Sequence, residues 1–510
     1  MKNQKDKLPL FILLVSTVIS ISTSIYFSYN NKSLLYRDAK SHLNIARRVF
    51  FSQTPGLAQL GSIWLPFTHI LMLPTIWIDK FYYSGLAGII PSMLAFILLS
   101  ITIHGVVYRY SHDRVASFLA SAIIFTNPSL LYLQSAPMSE LPLLITSTLS
   151  IYYLSKWLKN GNYEDIIYSS LFIFLATLTR YDAWFLFICE FAVIAVMSKI
   201  SDLKNKNVEG HLFLFTFLGG FGIFLWCLYN QLIFHNFLNF ALGQGSGSWD
   251  TKRVATSASQ FAPTHNLSQS FQTYSWIVID NAGIVFVIGT VLSIFTLLFI
   301  KKRAHWLALL LLCFLFLSPY LFNIISLYIG QSIALSKHLY PHQTYNFRYG
   351  SAVIPSVAFF LGMLASRGKI GKVLVLLLIF LQGFLFLSHP LDILTDANIG
   401  NIKSEKTVAK WIQEHPVKGP TLLSTLSHDP LLFESYIPMN KVIYEGNRYL
   451  WIKALRSPEK YVDRVVLKVS DTTNDGVRIN LYGKKILQQY FYLSYNDRDY
   501  QVYDKKQSSH

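Results

Sequence analysis

The sequence predicts a polytopic α-helical membrane protein of about eleven transmembrane helices, followed by a small extracytoplasmic α/β domain. Three observations predict it. Of 510 residues, 52% are hydrophobic and only 14% charged, against about 25% charged in an ordinary soluble domain. Apolar runs long enough to cross ~30 Å of hydrocarbon recur up to residue 388. Beyond that point the pattern changes: residues 389–510 carry 17 of the 44 basic residues and alternate short helix-like and strand-like pieces.

The first run, Leu8 to Tyr29, follows Lys2, Lys5 and Lys7. It is too long for a signal-peptide core and no small-residue cleavage site follows it, so it reads as a retained anchor. Further spans are expected at 85–108, 114–133, 137–157, 164–180, 183–199, 211–235, 276–300, 304–328, 348–366 and 370–388. The apolar segment 63–80 is shorter and interrupted by Pro66 and Pro74. Charge decides its place. With the N-terminus inside and 63–80 lying along the interface, sixteen basic residues fall in short inner segments: the leader lysines, Arg109, Arg114, Lys156, Lys159, Lys199, Lys204, Lys206, Lys301, Lys302, Arg303, Arg367, Lys369 and Lys372. A full crossing at 63–80 would put all the later ones outside.

The predicted organisation is therefore a transmembrane domain over 1–388 and an extracytoplasmic domain over 389–510. The outer loops are 30–84, with interfacial helices, 236–275 and 329–347. In the C-terminal domain, helices are expected at 407–415 and 451–455 and strands at 421–426, 441–446 and 462–469. That domain has no GxGxxG, P-loop or G-x-S-x-G motif, and reads as a lid or docking module. The net charge of +17 is dispersed over many loops, which suits topology signals rather than a nucleic-acid face. Cys189, Cys227 and Cys313 lie inside apolar runs with no CxxC spacing, so neither disulfides nor a zinc site is expected.

The outer opening stretch "YRDAKSHLNIARR", residues 36–48, breaks the charge rule. Lys32, Arg37, Lys40, Arg47 and Arg48 lie on the side where basic residues are scarce, which suggests an anionic ligand there. Asp38 and His42 are four residues apart and share a face of any helix. Three further features fall at the same face: Glu140 opening a crossing helix, "RYD" (Arg180, Tyr181, Asp182) in a tight outer turn, and Arg348 and Tyr349 at the mouth of the tenth span. Each has a plain structural alternative: a helix-dipole Glu, an Arg180–Asp182 pair, and a headgroup anchor. Glu190 lies well inside a span, where a helix–helix hydrogen bond is its expected role and proton coupling the alternative.

The pieces "YRDAKSHLNIARR", "PGLAQLGSIWLP", "NPSLLYLQSAPMSE", "LATLTRYDAW" and "NFRY" resemble the GT-C glycosyltransferases. Among these the chain is most similar to the lipid-carrier-dependent group of protein O-mannosyltransferases and lipid A aminoarabinose transferases. The resemblance implies an inverting transfer of a monosaccharide from a polyprenyl-phosphate-linked sugar donor to a glycan, lipid or protein acceptor, at the outer face of the cytoplasmic (inner) membrane. Protein O-mannosyltransferases carry an Asp-Glu pair where this chain has Asp38-Ala39, and a β-trefoil that loop 236–275 is too short to hold. The aminoarabinose transferases have a Lys-Pro-Pro element near Trp64-Leu65-Pro66. The acceptor therefore does not carry over from either.

Within that resemblance the chemistry asks for one key carboxylate. A lipid phosphate is a good leaving group and needs no protein acid, unlike the alkoxide of an ordinary glycoside. What remains is a base for the acceptor hydroxyl, assigned to Asp38, and donors for the departing phosphate, assigned to Arg180, Tyr181, Arg348 and Tyr349. Arg37, His42, Gln59, Trp64, His69, Glu140 and Asp182 are expected to bind substrate or support these groups. A divalent metal ion held by Glu140 or His42 is left open. The rival reading is a secondary transporter or lipid flippase, motivated by Glu190, although no inverted repeat is visible. A third is a membrane scaffold without catalysis.

Overall fold

A computed structural model describes residues 7–200, 208–249, 251, 263–298, 306–389 and 391–506. Seven of the inner basic residues, Lys2, Lys5, Lys204, Lys206, Lys301, Lys302 and Arg303, lie outside the described residues, as does part of loop 236–275. The chain divides into two compact units. The first holds Met1–Ser33, Ile63–Thr68 and Ile89–Asp396, the second Leu34–Ser62, His69–Gly88 and Ala397–His510. The sequence groups 30–84 with the membrane region, but most of that loop packs with the C-terminal residues.

The first unit is a helical bundle. Among the described residues, six helices are each long and apolar enough to cross a membrane: Leu8–Tyr29, Leu86–Ser111, Glu209–Phe234, Trp306–Tyr328, Phe347–Ala365 and Lys369–Ser388. A seventh crossing would be the pair Leu267–Ala282 and Ile284–Leu297, bent by 109°. The expected straight span 276–300 is thus broken. Gly283 at the bend has φ +98, a region that disfavours side chains, and a Cβ there would run into Gln382. The buried Gln382 carboxamide accepts from the Val285 N–H at 3.0 Å, supplying a partner to the backbone at the break.

The expected span 114–133 is also two helices, Arg114–Thr126 and Pro128–Leu133. The Asn127 side chain caps the second, accepting from Leu130 N–H at 3.0 Å, and Pro128 occupies its first turn. Tyr163–Thr177 has 15 residues, about 22 Å, and is shorter than a hydrocarbon core. Inside the bundle, Ser150 Oγ donates to Glu190 Oε2 at 2.8 Å, the helix–helix hydrogen bond expected for that acid.

The second unit carries a five-stranded sheet in the order β2-β1-β3-β5-β4. The strands are β1 (Thr421–Leu422), β2 (Val442–Ile443), β3 (Arg464–Lys468), β4 (Phe491–Asn496) and β5 (Tyr500–Lys505). β2, β1 and β3 run parallel, and β5 pairs antiparallel with β3 and β4. Alternation along β3 sends Val466 into one apolar layer, with Leu43, Val408, Leu431 and Val502. Val465 and Leu467 go into the other, with Leu422, Leu481 and Phe491.

Strands expected over 421–426 and 441–446 are only two residues long. Glu445 explains why: its carboxylate accepts from Thr425 N–H at 3.0 Å and from Thr425 Oγ1 at 3.1 Å. That contact ends β1, starts the helix Thr425–Glu434, and folds the segment after β2 into a short turn over Glu445–Asn447. The helices expected at 407–415 and 451–455 are present as Lys403–Glu414 and Tyr449–Arg456.

Candidate functional site

In the first unit, three segments bring charge together at helix ends. Glu140 is the first residue of helix Glu140–Asn160, Arg180 lies in the turn before helix Asp182–Ile200, and Arg348 lies in the 3-10 turn Phe347–Val353. Arg180 Nη1 donates to Glu140 Oε1 at 3.2 Å and to Ser139 Oγ at 3.3 Å, and its Nε donates to Asp182 Oδ2 at 3.3 Å. Arg348 Nε forms an ion pair with the same Glu140 oxygen at 3.0 Å. Tyr349 sits beside both, its ring centroid 5.0 Å from the Arg180 guanidinium carbon and 5.5 Å from that of Arg348. The Arg180–Asp182 pair foreseen as a structural alternative exists. Glu140, however, does more than answer a helix dipole. It gathers two arginines from separate segments.

Glu140 and Lys156 lie on one helix sixteen residues apart, ~24 Å along its axis. Lys156 pairs with Asp165 at 2.6 Å, and Lys159 Nζ donates to the Arg109 carbonyl at 2.6 Å. Two of the expected inner basic segments therefore meet at one end of the bundle, and the arginine cluster occupies the other end of the helix.

Tyr181 is occupied with packing. Its hydroxyl donates to the Ile63 carbonyl at 2.8 Å and accepts from Trp226 Nε1 at 3.3 Å, while its ring stacks on Phe240 at 5.4 Å. Trp64 is half-buried in the same unit.

The opening stretch forms helix Arg37–Phe51 in the second unit, and its cations have partners of their own. Arg37 grips Glu405 with two nitrogens, at 2.6 and 3.3 Å. Lys40 pairs with Glu434, and Arg47 with Asp79. Arg48 donates to Thr425 Oγ1 at 3.3 Å and lies 4.9 Å from the Tyr444 ring centroid. Three of these four cations, Arg37, Lys40 and Arg47, join segments of this unit to one another through carboxylates. Asp38 sits in the first turn of the helix, half-buried, where the dipole favours an anion.

His42 Nδ1 meets His69 Nε2 at 2.9 Å. Burial, aided by His42 and Arg48, pushes the His69 imidazole well below its usual range, so His69 is neutral. Gln59 accepts from the Tyr444 hydroxyl and donates to the Gly446 carbonyl at 3.1 Å and the Thr54 carbonyl at 2.8 Å, tying the loop after β2 to the opening segment. The residues do not fit a metal ion. Among the described residues no group of three or more His, Cys, Asp or Glu converges, Glu140 is already engaged by two arginines, and His42 faces another histidine.

No family model and no curated protein matches the chain. Solved structures do. ArnT from Cupriavidus metallidurans bound to undecaprenyl phosphate aligns with a TM-score of 0.56 at 10% identity, over 98% of each chain. Its apo state aligns with a TM-score of 0.57 at 11% identity, over 97% of each chain. The chain shares the ArnT fold along nearly its whole length, in keeping with the resemblance read from its sequence.

Proposed function

We propose that the chain is an inverting glycosyltransferase, moving a monosaccharide from a polyprenyl-phosphate donor to an acceptor hydroxyl at the outer face of the cytoplasmic membrane. The observation that carries this reading is the pair of arginines gathered on Glu140, in a chain with the fold of a protein seen bound to undecaprenyl phosphate. In the proposed reaction the acceptor oxygen attacks the anomeric carbon, the bond from that carbon to the phosphate oxygen breaks, and its electron pair leaves with the phosphate. Arg180 and Arg348 would meet that developing charge with directed N–H donors. Glu140 and Asp182 balance the two cations, so recognition rests on donor direction rather than on net charge. Arg180 spends Nε and Nη1 on the acids and Ser139, and its Nη2 lies outside those contacts.

The acceptor proton goes to Asp38 in this proposal, an assignment that rests on the sequence resemblance and on its ionisable carboxylate in a half-buried first turn. Neither the sugar nor the acceptor class is assigned. The test is release of polyprenyl phosphate from synthetic donors by purified protein. Turnover that depends on Arg180 and Arg348 supports the reading, and a protein that transports or merely binds these lipids without cleaving them overturns it.

A further inference from the structure

The second unit carries an open surface recess of about 880 Å³ beside helix Tyr449–Arg456, away from the residues discussed so far. Leu455, Leu481 and Ile486 supply an apolar lining, and Arg456, Lys484 and Lys485 a basic one. Helix Tyr449–Arg456 ends at Arg456, and helix Gly476–Leu481 turns through Gly483, at φ +74, into the two lysines. The volume suits a small ligand.

Several cations of this unit are held by carboxylates. Arg37, Lys40, Arg47 and Arg464 each face a carboxylate: Glu405, Glu434, Asp79 and Asp504. The recess lining contains no carboxylate. Among the described residues none of Arg456, Lys484 and Lys485 has an ion-pair partner, and all three are exposed. Three like charges around an apolar recess repel one another, and an anion relieves that repulsion. An apolar recess beside a cationic rim is complementary to one kind of molecule, an anionic headgroup joined to a hydrocarbon chain.

We infer that this recess binds a phosphate-bearing lipid, with the phosphate on Arg456, Lys484 and Lys485 and the start of the chain against Leu455, Leu481 and Ile486. The site is separate from the proposed transfer chemistry and does not depend on it.

The probe is a short-chain phosphatidic acid with a photoreactive diazirine in its acyl chain, added to the full-length protein in neutral detergent. Cross-linked peptides are mapped by mass spectrometry. Labelling should fall within residues 449–490 and drop at least tenfold in the R456Q/K484Q/K485Q variant, whose exposed substitutions leave the core intact. The matching phosphatidylcholine probe, with its headgroup charge cancelled, should label this region at least tenfold less. Equal labelling by the choline probe, or undiminished labelling of the triple variant, overturns the proposal. Full competition by inorganic phosphate at the probe's own concentration also overturns it, because the chain would then contribute nothing. Because labelling is localised to these peptides, the result stands whether or not the protein turns over a sugar donor.

Discussion

Glu140 Oε1 lies 3.2 Å from Arg180 Nη1 and 3.0 Å from Arg348 Nε, so one oxygen holds two guanidinium groups from segments far apart in the chain. Its other oxygen is buried without a hydrogen-bond partner. In the proposed function, arginines fixed this way would lose little further freedom on meeting a phosphate, which is how binding groups are pre-organised.

Removing either arginine should therefore cost more than a surface charge would. Arg180→Ala or Arg348→Ala should lower donor kcat/KM by roughly 10- to 100-fold, the equivalent of about 1.5–3 kcal/mol for one charged contact. Arg→Lys should restore only part, since an ammonium cannot present a fork. Glu140→Gln should leave both arginines but loosen them, lowering kcat more than it raises donor KM. Normal kinetics in all three variants would reduce the cluster to a structural joint.

Much of the helical organisation was legible because hydropathy is a local property. Spans such as Leu8–Tyr29 and Lys369–Ser388 fall within a residue or so of their sequence-derived limits. The break at Asn127-Pro128 had a local signal, a turn-forming dipeptide. The bend at Gly283 had a local signal too, Asp280 and Asn281 just before the glycine, but its partner Gln382 comes from another helix and was not legible. The convergence of Glu140, Arg180 and Arg348 was legible only as a shared face. The partners of the basic opening helix were illegible for a non-local reason: Glu405 and Glu434 lie 368 and 394 residues from Arg37 and Lys40. No spacing rule reaches that far.

The charge tally predicts a sidedness that direct labelling can test. In a variant lacking Cys189, Cys227 and Cys313, single cysteines at the exposed positions Lys80 and Lys410 should react with an impermeant maleimide added outside intact cells. Cysteines at Asn160 and Arg367, also exposed, should react only after the membrane is opened. The reverse pattern would put the C-terminal unit in the cytoplasm.

The second unit should also report pH through His428. Burial, with Lys468 and Arg37 nearby, holds its folded pKa down to about 3, whereas an unfolded chain binds that proton near 6.5. Unfolding takes up a proton between those values, so this contribution to stability is complete above about pH 6.5 and is lost as pH falls. Asp475 acts in the opposite sense. Burial lifts its pKa to about 6, so the folded state holds a proton the unfolded chain has released, and falling pH through that window favours folding. The informative quantity is a difference. Between pH 7 and 5, His428→Gln should lose less stability than the parent by about 1–2 kcal/mol, the glutamine oxygen still accepting from Ser424 N–H, which now donates to His428 Nε2 at 3.0 Å. Parallel pH profiles for the two proteins would show that His428 protonates equally in both states.

Asp38 presents the sharpest test, because its neighbours have turned out to have structural partners. Arg37 is bound to Glu405 and Lys40 to Glu434. The carboxylate sits in the first turn of its helix, where the dipole favours an anion by about 0.3–1 kcal/mol. If it is the base, Asp38→Asn keeps the size and the hydrogen-bonding oxygen but removes the proton acceptor. Transfer should fall by about 10²-fold or more while donor binding persists and the thermal midpoint moves little. Asp38→Glu should retain slight activity, limited by the misplaced carboxylate. A structural Asp38 would give the opposite pattern, with stability lost and the surviving folded fraction turning over normally. Near-normal transfer by a well-folded Asp38→Asn protein would move the base elsewhere, and Glu140, with one oxygen buried and unpartnered, would be the next carboxylate to substitute.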